Sequence, residues 1–162
     1  MKIHRQILIS ILLIFLFKNL YALDFKCDFE EVYLNGETQN GILITSDLNL
    51  RYQYQDQNLY TIIKNKKGTF LIQNSDTNLL NNIDNNQIIS SIVEIYKNFP
   101  DIKNSYAFDE SKIIIEKSGK HDFIKRLSIQ SNKLNVSINF YNCNSQKVEA
   151  KTFQERPFID II

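Results

Sequence analysis

The chain has 162 residues, a formal charge of +1, 43% hydrophobic and 12% aromatic residues, and two cysteines. That length suits one domain with a hydrophobic core of its own. The small net charge excludes a dedicated nucleic-acid binder, and two cysteines with so few histidines are too few for a structural zinc site.

Residues 1–22 follow the order of a secretory leader. Lys2, His4 and Arg5 form a basic head, Ile7 to Phe17 is apolar but for Ser10, and Leu20-Tyr21-Ala22 ends in a small residue. The apolar run is about half the roughly 20 residues that a membrane-spanning helix needs. We therefore expect a signal peptide over 1–22, cut near Ala22, and one exported domain over 23–162. Retention of the segment as an anchor is the alternative, prompted by Lys18 directly after the run. Removing Lys2, Arg5 and Lys18 leaves a slightly acidic domain. Asp24-Phe25-Lys26 lacks the small apolar residues of a lipidation site before Cys27.

Strand patterns follow. Leu23 to Phe29 alternates apolar and polar residues, the period of a half-buried strand. Asn35-Gly36 is a hairpin turn signal. Gly41 to Thr45, Leu50 to Tyr54, Leu59 to Lys64 and Thr69 to Gln73 read as strands, with turns at Asp47-Leu48-Asn49, Asp56-Gln57-Asn58 and Lys66-Lys67-Gly68. A short strand is predicted near Leu79-Leu80. Glu30-Glu31 reads as the solvated end of the first strand. Regular strands of this spacing indicate an antiparallel meander.

The period changes once. Ile88, Ile92, Ile95, Tyr96 and Phe99 recur at three- and four-residue spacing, which predicts one amphipathic helix over 87–99, stopped by Pro100. Strands return at 112–117, 122–130, 134–141 and 147–153, with Asn142 and Asn144 in a turn. A sheet this long twists and curls. The helix must bury its stripe, and the concave face of the sheet is the place to do so. The expected fold is mainly β: a curled antiparallel sheet, or half-barrel, with one helix in its concave face.

Cys27 and Cys143 form an even pair in an exported chain, which favours a disulfide. Cys27 is in phase with Phe25 and Phe29, but Cys143 is out of phase with Val136, Ile138 and Phe140, so two buried thiols are the alternative. Catalytic chemistry is not evident. His121, the one histidine outside the leader, lies in a turn, and there is no Gly-x-Ser-x-Gly elbow. Gly36 to Gly41 has phosphate-loop spacing but continues Ile42-Leu43 rather than Lys-Ser/Thr. Asn135-Val136-Ser137 matches a glycosylation sequon inside a predicted strand. No enzyme activity, cofactor or metal is expected.

In order along the chain, Phe29-Glu30-Glu31, Asn35-Gly36, Gly41-Ile42-Leu43, Arg51-Tyr52-Gln53-Tyr54, Ile62-Ile63-Lys64 with Gly68, the Leu127–Phe140 hairpin, and Phe153, Pro157 and Asp160-Ile161-Ile162 can be matched to one family. On these residues the chain resembles the LolA family of periplasmic carriers of outer-membrane lipoproteins. Two features depart from that pattern: the expected cleavage near Ala22 would leave no room for a helix before the first strand, and Ser46-Asp47-Leu48 stands where many members have Arg-Pro or Lys-Pro. The resemblance implies a carrier that shields the acyl chains of lipoproteins in an apolar hollow between inner and outer membrane. The implied partners are acylated lipoproteins, an inner-membrane lipoprotein-releasing transporter and an outer-membrane acceptor. The carrier itself is expected to be a monomer that does not bind nucleic acid. Ile88, Ile92, Ile95, Tyr96 and Phe99 are the candidate plug of the hollow, and Leu50, Tyr52, Tyr54, Phe70 and Ile72 its candidate lipid-binding wall. For each of these residues, plain core is the alternative. A non-carrier interaction or lipid-sensing module of the same fold is the alternative function.

Overall fold

The computed structural model describes residues 24–47, 49–75, 79–82 (backbone only), 92, 95–96, 98, 101–108, 110–119, 123–132 and 134–156. The expected leader, Ile88, Phe99, Pro100, His121 and the Pro157–Ile162 tail lie outside them.

Among the described residues ten strands follow one another: β1 (Phe25–Tyr33), β2 (Thr38–Ser46), β3 (Asn49–Tyr54), β4 (Tyr60–Asn65), β5 (Gly68–Gln73), β6 (Leu79–Asn82), β7 (Ser105–Phe108), β8 (Ser111–Lys117), β9 (Ile124–Ser131) and β10 (Asn135–Ser145). They form one sheet in the order β6-β5-β4-β3-β2-β1-β10-β9-β8-β7. Every pair is antiparallel. The fold is therefore mainly β, in an open antiparallel sheet. The chain starts in the middle, steps outward to β6, crosses to the far edge at β7, and steps back until β10 pairs with β1. Both edge strands have four residues, and a short edge offers little template for unwanted pairing.

Turn chemistry sets the hairpins. Gly36 at φ 83° and Asp47 at φ 53° take up the left-handed conformation that these tight connections need. At Gly41, opposite Phe29 in the register, the missing side chain has a packing reason. A Cβ there would lie 2.3 Å from the Phe29 ring and 2.3 Å from the Gln53 carbonyl. Phe29 lies flat over β2 in the space that glycine leaves.

Alternation divides the sheet into two faces. Phe25, Cys27, Phe29, Leu43, Leu50, Tyr52, Tyr54 and Ile62 line the inner face of one half, and Ile113, Ile115, Leu127, Ile129, Val136, Ile138 and Phe140 line the other, in a single cluster. Ile92, Ile95 and Tyr96 have helical backbone and are buried in that same cluster. The outer face of β2, β4 and β5 carries a smaller cluster of Ile44, Ile63 and Ile72, completed by Phe153.

Three expectations change, and one strand is new. The segment predicted as a last strand over 147–153 instead ends in a 3-10 turn, Ala150–Phe153, laid across the outer face. The Arg51 guanidinium holds it there, donating to the backbone carbonyls of Thr152 (3.2 Å) and Arg156 (3.2 Å) and to Gln53 Oε1 (2.8 Å). Asn142 and Asn144 lie inside β10, which runs through the predicted turn to Ser145. β7 had no pattern to announce it, because its four residues are exposed or half-buried where described. Glu31 is buried rather than solvated.

Candidate functional site on the inner face

Leu50, Tyr52, Tyr54, Ile92, Ile95 and Tyr96 come together in the inner cluster. Phe70 and Ile72 do not join them. The β4–β5 register sets Phe70 opposite Ile63 and Ile72 opposite Thr61, which puts both with the outer cluster. The expected wall of Leu50, Tyr52, Tyr54, Phe70 and Ile72 is thus divided between the two faces, and of the expected plug Ile88 and Phe99 lie outside the described residues.

The inner wall is aromatic near its centre. Phe29 stacks on Tyr52 at 4.0 Å between ring centroids, and Tyr54 meets Phe29, Tyr52 and Tyr60 edge-on at 5.3–5.6 Å. Within this wall lies a carboxylate. Glu31 accepts hydrogen bonds from the hydroxyls of Tyr33, Tyr52 (2.5 Å to Oε1) and Tyr54 (3.0 Å to each oxygen). Three phenols thus satisfy a charge that would otherwise be costly to bury. Burial first, and the Glu31 charge second, push the Tyr52, Tyr54 and Tyr60 phenols upward; for Tyr33 burial is followed by the hydrogen bond to Glu31. Tyr33, Tyr52 and Tyr54 therefore donate to Glu31 as neutral phenols near neutrality. The sequence held the signal for this cluster: Glu31 continues the period-2 series Phe25, Cys27, Phe29 into the inner face.

Tyr96 is the link between the helical residues and the far half of the sheet. Its ring meets Phe25 at 5.0 Å and Phe140 at 6.1 Å. Its hydroxyl is buried without a hydrogen-bond partner among the described residues. An orphaned buried hydroxyl costs about 1–3 kcal/mol, so the seating of Tyr96 is weaker than its buried area suggests. Burial also raises this phenol.

β1 and β10 are joined covalently by a disulfide between Cys27 and Cys143. A bulge makes this geometry reachable. Lys26 pairs with Asn144 and Asp28 with Tyr141, so Cys27 alone opposes Asn142 and Cys143. Asn142 takes φ 50°, a conformation that asparagine tolerates better than most residues. The extra residue reverses the phase of β10 and turns Cys143 inward, which resolves the mismatch with Val136, Ile138 and Phe140.

β9 and β10 part company at this end. Their ladder runs from Asn135↔Gln130 to Asn139↔Arg126. Beyond it β9 has its own irregularity, where Glu116 pairs with Arg126 but Lys117 with Ile124. A cavity of about 240 Å³ lies where the strands separate, lined by Phe123, Ile124 and Lys125 on one side and Phe140 to Cys143 on the other, with Ser118 at its rim. Sequence patterning could not find it, because it depends on where a ladder stops.

Among the described residues no three His, Cys, Asp or Glu side chains group as a metal site, and no helix is long and apolar enough to cross a membrane. No protein-family model matches the chain, and no curated protein matches it.

Proposed function

We propose that this protein is a periplasmic carrier that holds the acyl chains of outer-membrane lipoproteins against the inner face of its sheet. The observation that carries the reading is the single apolar cluster spanning both halves of that face, with the helical residues Ile92, Ile95 and Tyr96 inserted into it. Burial of an acyl chain contributes about 0.8 kcal/mol per methylene, on the order of 10 kcal/mol for one long chain before losses. A shuttle must also let go, so the empty state has to offset part of that gain. Helical residues that occupy the face in the absence of cargo do this, since cargo must displace them. The LolA resemblance supplies the route, from an inner-membrane releasing transporter to an outer-membrane acceptor, and the leader-like residues 1–22 supply the compartment. No bond is made or broken.

A second reading is a non-carrier interaction or lipid-sensing module. It is favoured by the near-complete burial of the described inner face, from Phe29 at 0% to Tyr54 at 6% exposure, and by the polar Glu31 cluster at its centre. Reversible uptake of a fluorescent fatty-acyl probe by the purified protein, with lipid in its mass spectrum, supports the carrier. No uptake and no copurified lipid abolish it in favour of the module.

A further inference from the structure

We infer that the split between β9 and β10 is a binding slot for one unbranched acyl chain, open to solvent at Ser118 and Lys125 and stopped on its inner side by Tyr96. The inference rests on the carrier reading and names where the chain is gripped.

Phe123, Ile124, Phe140 and the disulfide-bonded Cys143 give it an apolar side, and Ser118, Lys125, Tyr141 and Asn142 complete the lining. Its volume, about 240 Å³, is below the roughly 300–1,000 Å³ of pockets that enclose drug-sized ligands. A space of this size takes a short stretch of one chain rather than a larger ligand. Two irregular pairings, at Lys125 and at Asn142–Cys143, flank the same gap, and bulges characteristically re-aim side chains or end pairing beside sites.

Behind the slot the rings are continuous. Phe123 meets Phe25 at 5.6 Å, Phe25 meets Tyr96, and Tyr96 meets Phe140, which is the opposite slot wall. Tyr96 therefore stands between the slot and the inner cluster. Its buried hydroxyl lacks a partner among the described residues, so turning it toward water or a lipid carbonyl would gain a hydrogen bond that its present seat does not supply.

The mouth carries charges of both signs. Lys125 (2.7 Å) and Arg126 (2.8 Å) share the carboxylate of Glu116, and Asp28, across the gap, accepts a hydrogen bond from Asn142 Nδ2 at 2.8 Å. The source of the chain, a free fatty acid or an acylated protein, is left to the test.

The test uses the oxidised full domain and a diazirine-bearing acyl chain in two forms, as the free fatty acid and on a short N-acylated peptide. Photolysis and peptide mapping of the unaltered protein should place adducts on the Phe123–Lys125 and Phe140–Cys143 peptides, and the form that labels more strongly names the source. Ser118→Trp, which fills the rim, should cut those adducts about tenfold, whereas Ser118→Ala should leave them unchanged. Adducts confined to other peptides, with Ser118→Trp labelled like the wild type, would overturn the slot and leave the carrier reading standing. No adducts and no reversible uptake in either form would overturn both.

Discussion

The β2–β5 half of the sheet and the β8–β10 half carry the same alternating pattern but are covered differently. In β3 every residue from Leu50 to Tyr54 is buried, because the inner cluster covers one face and the C-terminal segment the other. In β8 and β9 the outward residues Lys112, Ile114, Lys125 and Arg126 are exposed. The double-covered half is also tied by polar anchors: Arg51 to the C-terminal carbonyls, and Asn74 Nδ2 to the carbonyls of Tyr54 (3.0 Å) and Asp56 (2.9 Å). The single-covered half has two irregular pairings, a split ladder and a cavity, whereas the other half has one irregular pairing, between Leu71 and Ile72 at its far edge. One half is thus built as a fixed wall, and the slack of the inner face is gathered in the other.

The largest test cuts the link between the halves. The disulfide closes a loop with a sequence separation of 116, and on the chain-entropy account its loss costs about 4–5 kcal/mol. Replacing both Cys27 and Cys143 with alanine should lower the urea-unfolding free energy by that amount. A loss below about 1 kcal/mol would mean that the β1–β10 ladder holds the halves together unaided.

Arg51→Ala tests the double cover. It removes a fully buried side chain and leaves carbonyls of the C-terminal segment without their donor, for an expected loss of about 3 kcal/mol. Glu116→Ala, on the exposed outer side of the other half, should leave the unfolding midpoint unchanged. Equal effects of the two substitutions would erase the contrast.

Alkaline pH attacks the fixed wall through its phenols. Tyr33, Tyr52, Tyr54 and Tyr60 are raised in the folded chain. The folded state thus keeps protons that the unfolded state releases near pH 10. The stability they contribute is fully present below about pH 10 and is lost as pH climbs through the folded-state values. Tyrosinate absorbance and circular dichroism should change together above that pH. Tyrosinate forming at these residues while the sheet stays intact would show that the cluster is open to water.

The smallest expected effect is a gain. Tyr96→Phe removes the hydroxyl that has no partner among the described residues and keeps the ring, so the domain should become more stable by up to about 1 kcal/mol. A loss instead would mean that the hydroxyl is hydrogen-bonded and that the helical residues are held more firmly than proposed.

Much of the architecture was legible in local pattern. Phe25 to Phe29 and Leu50 to Tyr54 announce strands, Asn35-Gly36 announces a hairpin, and Ile92, Ile95 and Tyr96 share a face at helical spacing. The candidate site was legible only in part. Tyr52, Tyr54 and Tyr96 were read as apolar lining, yet two of them serve a carboxylate and the third has a hydroxyl with no described partner. Glu31 carries a charge that hides its inward phase, which continues from Phe25, Cys27 and Phe29. Phe70 and Ile72 went to the other face because nothing local tells which face of β5 continues the inner face of β3.

The amino-acid sequence by itself determined that this chain alternates, turns and pairs as antiparallel strands, since side-chain period and left-handed turn residues act over a few neighbours. Only the tertiary structure decided which faces merge, that Cys143 turns toward Cys27, that Arg51 is roofed by the distant C-terminal segment, and that β9 and β10 separate. Each of these depends on register and bulges between strands far apart in the chain, where one extra residue reverses every side chain after it.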